Sequence, residues 1–463
     1  MNAAGMVGLV ALAALGALAT SCAVGTPPAA PGPPAPPTPS SLAAPPVALA
    51  SPVPAPSAPP PPPPPPTLEE RAARLHAAAI VVDTHDDVTT AILEDGFDLG
   101  HPNGKTATDL PRMRAGGVSA EFFSVYVDAR YYEKPSSRQG GGARRALDMI
   151  DATYQQIERH PQDLVLATGV DDIRRAKKDG KIAVLMGIEG GYAIEDSLGP
   201  LRDFYRLGVR YMTLTHAVNS DWADSSGMAA TPPKPRHHGL SPFGEEVVKE
   251  MQRIGMLVDV SHVSDDTIDD VLRVSTAPVI ASHSSARALC DAPRNLSDDE
   301  LRGIARTGGV VMVNFFSGYL DPAYRTAMHA FFARHGAELA ALDKKGMKLS
   351  ELHEAAQRMG AGELPKVPLG VLVDHIEHIA KVAGVDHVGL GSDFDGVDSM
   401  PVGLEGIDGL PKITLELLRR GWSDDDVKKV LGENFLRAFA AAEAHARATG
   451  TTLSGDGSTK RIE

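Results

Sequence analysis

Six short apolar runs in this chain each end on a histidine, an aspartate or a glutamate. They are "VVDTHDD" (81–87), "GIEGG" (187–191), "LTHAVN" (214–219), "DVSH" (259–262), "ASHSS" (281–285) and "GSDFDG" (391–396). They belong to a series of eight strand candidates: Ala79–Val82, Ala120–Val127, Ile182–Ile188, Tyr211–Thr215, Met256–Val260, Val279–Ala281, Val310–Asn314 and His387–Gly391. Longer helical patterns lie between them, such as "SPFGEEVVKEMQRIG", with Ser241 as N-cap and Pro242 in the first turn. Strands alternating with helices predict a parallel sheet. Eight such units predict an α/β fold, a (β/α)8 TIM-type barrel whose C-terminal strand ends share one face. A doubly wound open sheet is the alternative, but no G-x-G-x-x-G follows the first strand. On a barrel, six polar strand ends would meet at one mouth, which makes a metal site there the leading expectation.

The 463 residues divide unevenly. No charged residue precedes Glu69, so the net charge of −14 falls on the remainder, which argues against a nucleic-acid partner. Residues 1–22 read as a lipoprotein-type signal segment. An apolar stretch, Met6–Ala19, is short for a membrane span, and small residues lead to Cys22, the expected lipidation site. A cleaved, secreted form and a retained anchor are the other readings. Residues 23–67 are a Pro-rich disordered tether: 27–66 hold 21 of the 37 prolines. The (β/α)8 domain is expected over 68–445, with a polar tail over 446–463. The expected address is the bacterial cell envelope, with membrane attachment only through the N-terminal lipid. The only other cysteine is Cys290, which rules out a disulfide framework and a thiolate zinc site.

Any metal is therefore held by imidazole and carboxylate, a donor set that suits zinc. His85 and Asp87, at i and i+2, point the same way on a strand and can share one ion. Glu189, flanked by glycines, has two oxygens and can bridge two ions, and His262 and His283 complete the second. Two ions about 3.5–4 Å apart hold a hydroxide between them and polarise a carbonyl. Singly, each of these histidines reads as an ordinary buried, hydrogen-bonded ring. Together, at five strand ends, they do not.

The segments "DTHDD", "GIEGG", "LTHAVN", "DVSH", "SHSSARALCDAPRN", "VMVNFFSGY" and "GSDFDG" resemble, in order and character, the membrane (renal-type) dipeptidase family over roughly Ala79 to Phe439. The resemblance implies a barrel with two Zn2+ per chain that hydrolyses dipeptides, L-D dipeptides and dehydropeptide or β-lactam analogues among them. It makes His85 and Asp87 ligands of one zinc, Glu189 the bridge, and His262 and His283 ligands of the other. His216 becomes the contact for the substrate carbonyl and its oxyanion, and Arg294 the binder of the C-terminal carboxylate. Asp393 becomes the acid/base that holds the water and takes its proton, and Tyr319 a wall of the substrate pocket. A homodimer is also implied, since family members are often dimers. The chemistry is coherent on the residues alone: amide hydrolysis needs an activated water, a polarised carbonyl and a proton for the leaving amine. A planar guanidinium one residue past the scissile bond acts as a ruler for dipeptides.

Other binuclear amidohydrolases (deacylase or lactonase) favour H-x-H on the first strand, where this chain has H-x-D. A catalytically silent tethered binding protein is the remaining alternative. Several further residues are set aside. His375 and His378 in "DHIEHI" read as a solvated outer helix face, and His237 and His238 as loop residues. Asp83, Asp86 and Asp395 read as supporting acids, and Trp222 as packing or a pocket wall. Residues 321–366 form an insertion that either lines the mouth or packs outside it.

Overall fold

Among the described residues nine strands form: β1 (Val82–Asp86), β2 (Ala120–Tyr126), β3 (Leu164–Leu166), β4 (Ile182–Glu189), β5 (Val209–Thr213), β6 (Leu257–Asp259), β7 (Val279–Ala281), β8 (Val310–Val313) and β9 (Val388–Leu390). All pair parallel, in the order β1-β2-β4-β5-β6-β7-β8-β9. A parallel bridge between Asp86 and Phe394 joins the last segment to the first. The fold is a TIM-type (β/α)8 barrel, and the open-sheet alternative falls away. The computed structural model describes residues 65–133, 140–228, 232–343, 355–356 and 358–450. The leader with Cys22, nearly all of the tether, the tail beyond Gly450 and part of the insertion lie outside the described residues.

Two strands depart from expectation. β3 has only three residues, too few to show a period, and it pairs with the first half of β4 below the start of β5. The first strand begins at Val82 rather than Ala79. Residues up to Ala78 are helical, and the Ala79 amide still bonds back to Leu75. The strand instead runs through the polar residues. Asp83 pairs with Glu121 but Asp86 with Phe123, so two residues of β1 oppose one of β2. This bulge, a device that re-aims side chains, turns both Thr84 and His85 inward. Thr84 donates across the barrel to the carbonyls of Ser282 (2.7 Å) and Leu390 (3.1 Å).

The barrel interior is packed, not hollow. Val82, Phe122, Leu185, Tyr211, Leu257, Ile280 and Met312 meet Phe435, Leu436 and Phe439 of the last helix, Asn434–Ala448. Burying side chains of this size stabilises by about 1.5–3 kcal/mol each, and here it also seals the barrel floor. A second, larger core fills the space between sheet and outer helices. The helices start where short polar side chains cap them. Ser241 accepts from the Gly244 amide (3.1 Å) ahead of Pro242, and Ser297 and Glu300 form a capping box. Among the described residues no helix is long and apolar enough to cross a membrane.

The insertion opens with a helix, Pro322–Asp343. Tyr324 and Met328 pack on Tyr319, Phe316 and Ala292, while Phe331 and Leu339 share a separate small core with Ala355, Ala356 and Ala361. Its near end thus backs the Tyr319 wall.

Candidate active site

The barrel brings the polar strand ends to one point. His85 lies within β1, and Asp87 follows it as the cap residue of helix Val88–Asp95. The two meet at 3.3 Å through this strand-to-helix turn rather than through strand alternation. Glu189 ends β4, and its Oε1 is the hub. It lies 2.9 Å from Nε2 of His262, 3.3 Å from that of His283, 3.6 Å from that of His85 and 3.8 Å from that of His216. The Nε2 atoms of His262 and His283 are 2.8 Å apart. All of these side chains are buried. The glycines around Glu189 serve packing rather than ligand access. A Cβ at Gly187 would overlap the Tyr211 ring, and one at Gly191 would meet Trp222.

Two hydrogen-bond relays determine which nitrogen of two histidines is free. Tyr211 has one hydroxyl proton and donates it to the Thr84 carbonyl (3.0 Å), so its oxygen accepts from Nδ1–H of His85 (2.8 Å). Ser282 donates to Asp259 (2.6 Å), so its oxygen accepts from Nδ1–H of His283 (2.8 Å). Both rings therefore turn Nε2, not Nδ1, towards Glu189. Partners of this kind orient metal-binding histidines and typically carry 10–100-fold in affinity. Tyr211→Phe is expected to weaken metal binding by about ten-fold or more, read by competition with a chromophoric chelator. An affinity equal to wild type would reduce Tyr211 to packing.

The electrostatics call for a cation. Burial pushes His262 and His283 well below the usual histidine range, with Arg294 and a neighbouring imidazole acting the same way, so both rings are neutral. Burial works to raise Glu189, yet the surrounding histidines hold it well below the usual carboxylate range. Burial also disfavours charge on His85, but Tyr211, Glu189 and Asp87 outweigh it and hold its pKa well above the ordinary value. Among the described residues, Nε2 of His85 and Oδ1 of Asp87 are buried without a hydrogen bond. Lone pairs and carboxylate oxygens this crowded repel one another unless a positive charge lies among them. Three overlapping groups have ligand atoms mutually within 4.8 Å: His85, Asp87 and Glu189; Glu189, His216 and His262; and His85, His283 and Asp393. The residues fit a metal centre of nitrogen and oxygen donors.

Around this centre stand the other expected residues. The His216 ring faces His262 at 4.3 Å between centroids, and burial lowers its pKa, leaving it neutral. Burial, with Asp87 and Glu189 nearby, pushes Asp393 up to about 8, and Asn314 donates to its Oδ2 (2.7 Å). His262 and Asp393 both adopt left-handed backbone, φ +67° and +66°. That conformation costs non-glycine residues on the order of 1–3 kcal/mol and concentrates at functional sites. Arg294 is buried and makes no ion pair with Asp291. Its guanidinium donates to Ser284 Oγ (3.2 Å) and the His283 carbonyl (3.1 Å) and lies 5.4 Å from the Tyr319 ring centroid. Arg294 Nε and the Tyr319 hydroxyl are both buried and have no hydrogen-bond partner among the described residues. A forked donor beside a free hydroxyl is suited to a carboxylate.

The residues set aside sort themselves. His237 is exposed and bonds the Asp221 carbonyl, His378 pairs with Asp298 at 2.7 Å, and Trp222 is fully buried packing. Asp395 accepts from the amides of Ala107 (2.6 Å) and Thr108 (3.1 Å), and Asp86 accepts from the Thr108 hydroxyl, so both hold a loop at the mouth. Asp83 accepts from the Ser392 amide (2.8 Å). His375 is a correction: it is fully buried, not solvated. Sequence reasoning missed Tyr126, which ends β2 opposite Glu189 and packs edge-to-face on the His216 ring, 4.9 Å between centroids. It also missed Tyr211, Ser282 and Asn314. Tyr211 lies in β5, Ser282 beside His283 and Asn314 just past β8, where the sequence shows only ordinary inward-facing residues.

Comparisons with known proteins agree with this geometry. The family model described as membrane dipeptidase (peptidase family M19) matches residues 69–452. The probable dipeptidase PvdM from Pseudomonas aeruginosa is similar at 28% identity and a TM-score of 0.71, over 82% of this chain and 99% of that one. A dipeptidase AC of family M19 is 25% identical with a TM-score of 0.63, over 79% and 98%. A metallopeptidase from Rhodobacter sphaeroides, solved with a phosphinate mimic of L-Ala-D-Ala, shares the fold at 24% identity and a TM-score of 0.64, over 79% and 99%. The match spans most of the chain and the whole barrel that builds the site, so this protein belongs to the M19 membrane dipeptidase family, a family of metal-dependent peptidases.

Proposed function

We propose that the protein hydrolyses dipeptides at a centre of two zinc ions. His85 and Asp87 would hold one, His262 and His283 the other, and Glu189 would serve both. The observation that carries this is the convergence of three ligand imidazoles on one oxygen of Glu189, at 2.9, 3.3 and 3.6 Å. Bound there, the ions would supply Lewis acidity and lower the pKa of water towards neutrality.

The chain's own residues do the rest. Arg294 and Tyr319 take the substrate's C-terminal carboxylate and so set the reach from that end to the scissile bond. His216 donates to the carbonyl oxygen as negative charge builds on it. Asp393, steadied by Asn314, accepts the proton of the attacking water and passes it to the leaving nitrogen. We extend the substrate range to L-D dipeptides and to dehydropeptide or β-lactam analogues on the strength of the family resemblance.

The test is release of amino acids from L-L and L-D dipeptides, with tripeptides and dipeptide amides alongside, before and after chelation and zinc restoration. Zinc-restored cleavage of dipeptides but not tripeptides is expected. Cleavage that survives metal removal, or none with two zincs bound, would overturn the proposal. Arg294→Ala is expected to raise KM for a dipeptide at least about ten-fold more than for its amide. Equal effects on both would remove Arg294 from the carboxylate role.

A further inference from the structure

His375 sits on the outer helix Leu369–Ala383 yet is completely buried. Its ring spans two chain segments. Nδ1 accepts from the Ala286 amide (3.0 Å), and Nε2–H donates to the Leu320 carbonyl (3.0 Å). The first contact determines the tautomer: an amide can only donate, so Nδ1 is the bare nitrogen and Nε2 carries the proton. Burial pushes the ring down to about 4, so it stays neutral and keeps one donor and one acceptor at neutral pH.

The two segments are the walls of the carboxylate pocket. Ala286 opens the loop that carries Arg294, and that loop closes on itself where Ala286 bridges Leu296. Leu320 follows Tyr319. Asn295, next to Arg294, makes a second tie: its side-chain amide donates to the Tyr319 carbonyl (2.7 Å) and the Cys290 carbonyl (2.8 Å). Neither His375 nor Asn295 is among the residues that would touch substrate or metal.

We propose that His375, with Asn295, is a positioning residue for substrate: the two side chains lock the Arg294 loop to the Tyr319 segment and so set the gap that receives the substrate carboxylate. This rests on the carboxylate role of Arg294 proposed above. It predicts a specific kinetic signature, because a loosened gap weakens only substrates that use it.

The experiment compares His375→Leu and His375→Gln with wild type and Arg294→Ala in zinc-loaded enzyme, on a dipeptide and on its amide. His375→Leu keeps the bulk and loses both hydrogen bonds. KM for the dipeptide is expected to rise about ten-fold, with kcat, zinc content and the amide's KM unchanged. Gln has a carbonyl for Ala286 and an amide for Leu320, so His375→Gln is expected to recover most of the loss. Equal changes with dipeptide and amide, or no recovery with Gln, would overturn the proposal. If Arg294→Ala itself fails to distinguish dipeptide from amide, the carboxylate reading fails and the clamp with it. A selective Arg294→Ala beside an unselective His375→Leu overturns the clamp alone. Should His375→Leu not fold, Asn295→Ser cuts the second tie and is expected to show the same split. The absence of a split there would overturn the proposal equally.

Discussion

Glu189→Gln is expected to remove dipeptide hydrolysis, with kcat/KM falling by at least about a thousand-fold, or about 4 kcal/mol of transition-state stabilisation. The substitution keeps the side chain's size and takes away its charge. The carboxylate faces four imidazoles within 3.8 Å, two of which have Nε2 turned to it by Tyr211 and Ser282. An amide placed there has half the acceptor capacity and must turn an N–H towards the metal or towards those rings. If the proposed pair of zincs is right, bound zinc per chain, measured by elemental analysis after dialysis, is expected to fall from two to one or fewer. A variant that holds two zincs and most of its activity would end the shared-ligand assignment.

Asp393→Asn is the second large effect, and its value lies in separating two roles that the geometry leaves adjacent. Asp393 groups with His85 and His283 closely enough to be a ligand, yet it is held by Asn314 as a proton carrier would be. Asn is nearly isosteric but cannot take up a proton. As the proton carrier, Asp393→Asn loses about 10²–10⁴-fold in kcat while KM and zinc content stay near wild type. Loss of zinc in step with activity would instead make Asp393 a metal ligand.

Much of this was legible because a barrel converts sequence order into spatial convergence. Once eight β-branched runs are read as strands, residues as far apart as His85 and Asp393 must share a mouth. The histidines and acids that converge were named from residue type at strand ends, and the family motifs pointed to the same residues. What stayed hidden has physical causes. β3 is three residues long and carries no readable period. The start of β1 was misplaced because its polar residues look like a loop, whereas the bulge and the barrel give each of them a partner. His375 resembled one of a surface pair because helical spacing shows which residues share a face, not whether another segment covers it. Tyr211 looked like plain core. Its hydroxyl matters only because Gly187, on the adjacent strand, leaves room for the ring to lie across to His85.

The seam of the barrel has a consequence for how the protein comes into being. The Asp393 amide bonds the His85 carbonyl (3.0 Å), and the Asp87 amide bonds the Phe394 carbonyl (2.8 Å). These contacts stitch the start of the domain to a stretch more than 300 residues later. Contacts so remote in sequence carry a high loop-closure cost and form late. A nascent chain emerging amino-terminus first thus carries His85 and Asp87 long before the residues that complete their surroundings exist. Assembly of the site is tied to completion of synthesis, and a truncated chain ending before Ser392 has neither the seam nor Asp393.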